Sequence, residues 1–215
     1  MVLVNIPGRL SIELPRFYTQ FEGYYPDCEP ETKKWFVNNI KENWVCFDCG
    51  ANIGYYTILF AQMASKGWVH SFEPTVTFDM LVENIKYNKI NNVNLVNMAV
   101  GSKTGKFTEI LNKCWGYEVE KCLYNFITID TYCKKFKIKR IDLIKIDTDG
   151  WDFEILMGAK NIINKFHPKV MIEIYEPTLS GHGHTVDNVL EWLNAIGYSK
   201  LTLLEDCNYM AEFVG

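Results

Sequence analysis

A glycine-containing turn and a carboxylate stand where two apolar runs end. The first run leads into Asp48-x-Gly50-Ala51-Asn52-Ile53-Gly54, and the second ends at Glu73-Pro74. Glycines in such a turn allow a positive φ or a close approach of the backbone to a ligand. A carboxylate that ends the next strand can accept hydrogen bonds from both hydroxyls of a ribose. We therefore predict a nucleoside-binding strand–turn–helix–strand unit.

The charge of this turn separates two classes of nucleotide ligand. A dinucleotide fold uses G-x-G-x-x-G, whose backbone amides and helix N-terminus hold a pyrophosphate. Here the spacing is Gly50-x-x-x-Gly54, and Asp48 precedes the first glycine, where it would repel a pyrophosphate. The same acid suits the ammonium and sulfonium of S-adenosylmethionine, which has no phosphate. We predict S-adenosylmethionine as the cofactor, with a dehydrogenase as the alternative.

Carboxylates also follow two later apolar runs and could assist methyl transfer. Alignment of the reacting groups supplies most of the rate of such an in-line displacement, and a general base adds about 10²–10⁴-fold. Asp147 and Asp149 follow one run, and Glu173 and Glu176 follow the next. Asp147 is the first choice for contacting the donor or positioning the acceptor. Alternatively, Asp147, Thr148 or Asp149 only caps the helix that begins near Trp151. Lys145 is either part of a structural ion pair or an active-site residue.

Histidines and cysteines offer further candidates. His182 and His184 flank a glycine and could act as a base, so His182 is a third catalytic candidate beside Asp147 and Asp149. A pair of histidines without a third placed ligand does not predict a metal site. Cys46 and Cys49 lie three apart on a predicted strand, where their side chains point to opposite faces. We interpret them as core residues and predict no metal.

Apolar runs alternate with amphipathic segments along the chain. Strands are predicted at 44–47, 68–72, 93–98, 141–146, 170–174, 201–204 and 209–214, and helices at 30–40, 55–65, 77–88, 127–136, 151–165 and 185–196. This alternation predicts an α/β fold with a Rossmann-like, doubly wound, mostly parallel seven-stranded sheet. The last two strands lack an intervening helix, which predicts an antiparallel C-terminal strand. Residues 104–125 are predicted to form short strands and a loop.

The 1–43 segment is predicted to be a small N-terminal extension, with a short β segment at 10–21 and a helix, packed on a main domain at 44–215.

The 215-residue chain has a net charge of −4. This balance gives no electrostatic argument for a nucleic-acid partner. The basic run 134–140 is either a solvated face or a site for an anionic acceptor. Met1 to Leu14 is interrupted by proline, glycine and arginine, so we expect no signal peptide, no membrane span and a cytoplasmic location.

A longer series of motifs points to one family. In chain order they are Asp48-x-Gly-Ala-Asn-Ile-Gly54-Tyr-Tyr-Thr57, Phe72-Glu-Pro74, Asn84-Ile85 with Asn88, Ala99-Val100-Gly101, Ile141-Asp-Leu-Ile-Lys-Ile-Asp147 and Glu173. From about residue 23 to residue 197 the chain resembles the FkbM-type methyltransferases. The resemblance implies a class I methyltransferase domain that O-methylates a hydroxyl of a sugar, glycan or other small-molecule natural product. It departs from the family at Asp149 and Asp152, where the family's usual motif Asp-Val-Glu-Gly-x-Glu has glutamates.

Motif and resemblance together give a set of predicted cofactor contacts. These are Asp48, Gly50, Ala51, Asn52, Gly54, Tyr55, Glu73, Pro74, Ala99, Val100 and Asp147. The aromatics Tyr24, Tyr25, Trp115 and Tyr117 either line an acceptor cleft or belong to the core. RNA or protein methylation stays open as an alternative, and so does a non-catalytic module that only binds S-adenosylmethionine.

Overall fold

The computed structural model describes residues 1–6, 11–111 and 121–215. The chain divides into two compact units, Met1–Asn97 and Met98–Gly215. No helix within the described ranges combines the length and the apolar character that a membrane crossing requires.

The first unit carries the predicted nucleoside-binding elements. Its elements are β1 (Val2–Asn5), β2 (Ser11–Leu14), a 3-10 turn (Thr19–Phe21), α1 (Pro30–Asn39), β3 (Val45–Cys49), α2 (Tyr55–Met63), β4 (Trp68–Phe72), α3 (Phe78–Tyr87) and β5 (Val93–Val96). β3 is parallel to β4, and β4 is parallel to β5. Most residues of β3 and β4 are buried, as expected for parallel strands covered on both faces.

The N-terminal residues of this unit form a small hairpin of their own. β1 and β2 pair in antiparallel fashion, and β2 contacts α2 and α3. The Asn88 side chain bonds the backbone of Glu13, and the Asn84 side chain bonds the backbone of Arg16. The β segment is shorter than predicted: β2 ends before Pro15, which has no N–H to donate to a ladder, and residue 10 lies outside the described residues. A domain boundary near residue 44 stays a prediction.

The second unit carries the predicted catalytic elements. They are β6 (Ala99–Val100), β7 (Gly105–Ile110), β8 (Lys121–Ile127), α4 (Ile129–Phe136), β9 (Leu143–Ile146), α5 (Asp152–Gly158), α6 (Lys160–Phe166), β10 (Lys169–Glu173), α7 (Glu176–Ser180), α8 (Val186–Ala195), β11 (Lys200–Glu205) and β12 (Asn208–Glu212). β6, β8 and β7 form a separate three-stranded sheet. The predicted strands at 104–125 therefore belong to a sheet that the pattern did not predict, and residues 112–120 lie outside the described residues.

The helix predicted at 151–165 is divided in two. The break lies at Ala159, whose backbone (φ −109°, ψ 1°) is not helical. The preceding Gly158 lies so close to Gly101 that a β-carbon there would collide with the Gly101 carbonyl oxygen. Glycine also weakens a helix, because it has more backbone freedom to lose than other residues. Close packing at Gly158 thus coincides with the end of α5.

The central sheet has seven strands in the order β11-β12-β10-β9-β3-β4-β5. β9 and β10 are parallel, and β12 is antiparallel to both β10 and β11. This confirms the predicted Rossmann-like, mostly parallel seven-stranded sheet with an antiparallel C-terminal strand.

Candidate active site

The glycine turn joins β3 to α2 in a conformation that requires glycine. Gly50 and Gly54 have φ values of 84° and 93°. The N–H groups of Gly50 and Ala51 donate to the carbonyl oxygen of Phe72, at 3.1 and 3.0 Å, which ties the turn to the end of β4. A β-carbon at Gly54 would lie 2.6 Å from Cδ1 of Leu81, so packing against α3 adds to the conformational requirement.

Glu73 follows β4 and lies beside this turn. Its Oε2 accepts from the Asn52 N–H at 2.9 Å, and its Oε1 accepts from the N–H and hydroxyl of Thr75 at 2.9 and 2.6 Å. Burial raises the pKa of the Glu73 carboxyl, and these hydrogen bonds act against the rise. The structure thus brings Glu73 and the predicted glycine turn together, with Pro74 half-buried next to them.

Asp48 has a structural environment that the sequence did not predict. Its side chain is fully buried, and its Oδ2 accepts from the Thr57 hydroxyl at 2.5 Å. The Thr57 hydroxyl also shares a hydrogen bond of 2.8 Å with Ser71. Through this network Asp48 links β3, α2 and β4. A direct contact of Asp48 with the donor stays a prediction.

Two tyrosines begin α2 and meet the segment that leads into α1. The Tyr56 hydroxyl donates to Glu29 Oε2, and Glu29 has a left-handed backbone (φ 45°) just before α1. The Tyr55 side chain is 6% exposed, and its hydroxyl has no hydrogen-bond partner. Nζ of Lys33 lies 5.7 Å from the centre of the Tyr55 ring. Sequence reasoning missed Glu29 and Lys33; the only signal was that two adjacent buried tyrosines need polar partners.

Tyr24 and Tyr25 lie in the same segment as Glu29. Their rings meet edge to face at 5.9 Å, with Tyr24 exposed and Tyr25 buried. Trp115 and Tyr117, the other two predicted cleft aromatics, lie outside the described residues.

In the second unit, the predicted contacts Ala99 and Val100 form β6. Both are buried and pair with Phe126 and Ile127 of β8. Ala99 packs in an apolar cluster with Phe126 and Leu111. Their part in cofactor binding stays a prediction.

Asp147 follows β9 and is paired with the lysine of that strand. Lys145 is 2% exposed, and its Nζ donates to Asp147 Oδ2 at 2.9 Å, whereas the Asp147 side chain is 30% exposed. The unexpected strand lysine therefore forms an ion pair. The pair fixes the direction of the Asp147 carboxylate while leaving it open to solvent.

Three further carboxyl groups, those of Asp149, Asp152 and Glu173, interact electrostatically around Asp147. Asp152 is buried and accepts from the N–H groups of Thr148 and Gly150, and burial and Asp147 raise its pKa to about 7. Burial, followed by the charges of Asp147, Asp152 and Asp149, raises the pKa of Glu173 to about 8. Oε2 of Glu173 has no hydrogen-bond partner. We call these four residues the carboxyl cluster.

The alternative that this turn caps the following helix is not what the structure shows. Trp151 occupies the N-cap position of α5 and makes no side-chain cap hydrogen bond. Asp152 instead bonds back to the turn, where Asp149 and Gly150 have φ values of 53° and 110°. The shortened side chain at 152 therefore stabilises the turn itself.

The two candidate histidines are held by different contacts. The His182 ring lies 4.8 Å from the Trp151 ring, and burial together with His184 lowers its pKa. His184 Nε2 lies 3.1 Å from Glu154 Oε1, and the Ser102 hydroxyl donates to the other oxygen of that carboxylate. The lowered pKa favours the neutral form of His182.

No group of three or more His, Cys, Asp or Glu side chains is arranged to hold a metal ion within residues 1–6, 11–111 and 121–215. Cys46 and Cys49 are buried thiols on β3.

Comparison with known proteins places this geometry in a family. The Methyltransferase FkbM domain family matches residues 48–127 and 125–200. Methyltransferase sdnD of Sordaria araneosa is 21% identical over 89% of this chain and 90% of its own length. The crystal structure of Methyltransferase FkbM from Methylobacillus flagellatus is 18% identical with a TM-score of 0.56; the match covers 89% of this chain and 52% of that one, so this chain spans about half its length. A Streptococcus mutans protein solved in complex with SAH is 12% identical, with a TM-score of 0.55 and coverage of 85% and 96%.

Proposed function

Since the chain belongs to the FkbM methyltransferase domain family, and is thereby an S-adenosylmethionine-dependent methyltransferase, we propose that it methylates a hydroxyl group of a sugar, glycan or other small-molecule natural product. The observation that carries this choice of acceptor is the carboxyl cluster. Carboxylates accept hydrogen bonds from hydroxyl groups and can take up the proton that a hydroxyl loses on methylation.

Asp147 and Glu173 are proposed to have different roles within the carboxyl cluster. The ion pair with Lys145 fixes the direction of the Asp147 side chain, and its 30% exposure lets it accept a hydrogen bond from an acceptor hydroxyl. Burial and the neighbouring acids raise the pKa of Glu173 to about 8, so the deprotonated form that can take up the acceptor proton becomes abundant as the pH rises toward that value. Asp149 and His182 are further candidates to receive the proton.

Donor binding is assigned to the first unit. Bound S-adenosylmethionine supplies a methyl carbon activated by its sulfonium. Glu73 is proposed to accept hydrogen bonds from the ribose hydroxyls, because it ends β4 beside the glycine turn. The Tyr55 hydroxyl at the start of α2 is buried without a hydrogen-bond partner, and a polar group of the bound donor would supply one. We also propose a cytoplasmic location, supported by Cys122, Cys133 and Cys207, whose thiols are not in disulfides.

A methyl-transfer screen tests the proposal. The purified chain is incubated with S-adenosylmethionine labelled in the methyl group and with panels of sugars, glycolipids and RNA. We expect label in a sugar-type or other small hydroxyl acceptor; label only in RNA, or in none of the panels, would overturn the choice of acceptor.

Two variants test the residues in the same assay. Asp147→Asn should lower kcat about 100-fold or more, and unchanged affinity for S-adenosylhomocysteine would place its action on the acceptor. Glu73→Ala should weaken S-adenosylhomocysteine binding. The exposed Glu191→Gln on α8 is the matched control and should change neither quantity. If Asp147→Asn and Glu73→Ala both left donor affinity and turnover unchanged, the site assignment would be wrong.

A further inference from the structure

The amino-acid end of the donor needs charged partners that the glycine turn does not supply. S-adenosylmethionine ends in an α-ammonium and an α-carboxylate. Asp48, the acid of the turn, is fully buried and bonded to Thr57. Glu73 is engaged beside the ribose position by Asn52 and Thr75. The charged residues beside the turn are therefore the next candidates to meet the amino-acid end.

The Tyr55 hydroxyl is the first indication of where this end binds. It belongs to a side chain that is 6% exposed, yet it makes no hydrogen bond. A buried hydroxyl without a partner destabilises a folded protein, so most such groups are paired. A ligand that accepts a hydrogen bond from Tyr55 would account for it. Tyr55 directly follows Gly54, so this ligand would lie beside the turn that also contacts Glu73.

Lys33 is the second indication. Its Nζ lies over the Tyr55 ring and donates to the carbonyl oxygen of Pro26 at 2.9 Å. No carboxylate of the described residues lies within ion-pair distance of it, and an ammonium has three donors. The first N–H groups of α2 lack partners within the helix and favour an anion at the same end.

Glu29 makes the region match a zwitterion rather than a simple anion. Its carboxylate accepts from the hydroxyl of Tyr56 and acts electrostatically on Tyr55. One ammonium and one carboxylate of the protein thus stand near the same ring. A phosphate would gain from Lys33 but be repelled by Glu29, whereas an amino acid is attracted by both.

We propose that Lys33 and the Tyr55 hydroxyl, at the N-terminus of α2, form a carboxylate subsite that holds the α-carboxylate of the donor's methionine. This inference rests on the use of S-adenosylmethionine by the proposed function. Through Lys33 of α1, it assigns a donor contact to a residue outside the glycine turn.

Two ligands that differ only in the carboxylate test the subsite by calorimetry. S-adenosylhomocysteine has the whole amino-acid end, and S-adenosyl-3-thiopropylamine lacks only the carboxylate. The wild type should bind S-adenosylhomocysteine at least about tenfold more tightly than the amine, because the amine cannot make the charged hydrogen bond. Lys33→Met and Tyr55→Phe should each weaken S-adenosylhomocysteine about tenfold and leave the amine unchanged. Lys34→Met, an exposed neighbour on α1 paired with Glu31, should affect neither ligand.

Thermal unfolding separates binding from a structural role. Tyr55→Phe removes an unpaired buried hydroxyl and keeps the ring, so the free protein should be as stable as the wild type or more so. The subsite is overturned if Lys33→Met and Tyr55→Phe weaken the binding of both ligands equally. It is also overturned if these variants weaken the binding of neither ligand. Lower stability of Tyr55→Phe also overturns it, since the hydroxyl would then have a partner within the protein.

Ligand binding by the wild type and by Glu73→Ala distinguishes a wrong subsite from a wrong proposed function. Glu73→Ala should weaken both ligands equally, because both contain the ribose. A wild type that binds neither ligand would overturn donor use itself. A wild type that binds both ligands equally well, with Glu73→Ala weakening both, would overturn the subsite alone.

Discussion

The stability of the protein should fall as the pH rises toward the pKa of Glu173, and Glu173→Gln should remove part of that fall. In the folded state this carboxyl holds its proton up to about pH 8, whereas the ordinary value is 4.5. Between these values the folded state binds more protons than the unfolded state. The free energy of unfolding therefore decreases with pH in this window. The contribution is fully present below about pH 4.5 and is lost by about pH 8.

The size of the effect follows from the width of the window. Each pH unit corresponds to about 1.4 kcal/mol per proton, so a window of about 3.5 units has an upper limit of about 5 kcal/mol. Glu173 is only half-buried, and solvent screens part of its interaction with the other acids of the carboxyl cluster. We therefore expect about 2 kcal/mol. Glutamine has the same shape without the charge, so Glu173→Gln should equal the wild type near pH 4.5 and exceed it by that amount near pH 9.

Urea unfolding at pH 4.5, 7 and 9 measures this difference. The matched control is Glu191→Gln, an exposed acid on α8 whose removal should shift the curves equally little at every pH. If the Glu173→Gln and wild-type stabilities ran parallel from pH 4.5 to 9, Glu173 would not be a high-pKa carboxyl. The carboxyl cluster would then lose its proposed proton acceptor.

Two further substitutions test contacts that position the site. Thr57→Val should lower the free energy of unfolding by about 2 kcal/mol, because buried Asp48 loses its hydroxyl donor; Thr57→Ser, which keeps the hydroxyl, should restore most of it in chemical denaturation. Gly158→Ala should cost about 3 kcal/mol by the same measurement, since the new methyl group collides with the backbone of Gly101, and equal stability would contradict this packing.

The donor side of the site could be predicted because its signals are local. Gly50 and Gly54 need positive φ values for reasons that act within the turn, and Glu73 ends the next strand. Parallel strands place their carboxyl ends at one edge, so the meeting of Glu73 with the turn follows from strand order alone. The Asn52–Glu73 hydrogen bond is the structural form of that prediction.

The remaining features depend on contacts between residues distant in the chain. The bond between Glu29 and Tyr56, and the raised pKa of Glu173 among three other acids, arise only when separate elements pack. The spacing of apolar residues along the sequence does not indicate which distant residues will come into contact. The same holds for the three-stranded sheet, because β6 has only two residues and its pairing with β8 leaves no pattern in the sequence.

Burial of Asp48 changes how the charge argument for the donor works. The sequence suggests that this acid contacts the cofactor, but its carboxylate lies inside the first unit and bonds to Thr57. A buried charge is screened less than an exposed one, so its field still disfavours a pyrophosphate at the turn and favours a cation. Selection between nucleotide classes can thus act at a distance. In the subsite that we propose, direct contact with the charged end of the donor belongs instead to Lys33 of α1 and to Tyr55, which directly follows the turn.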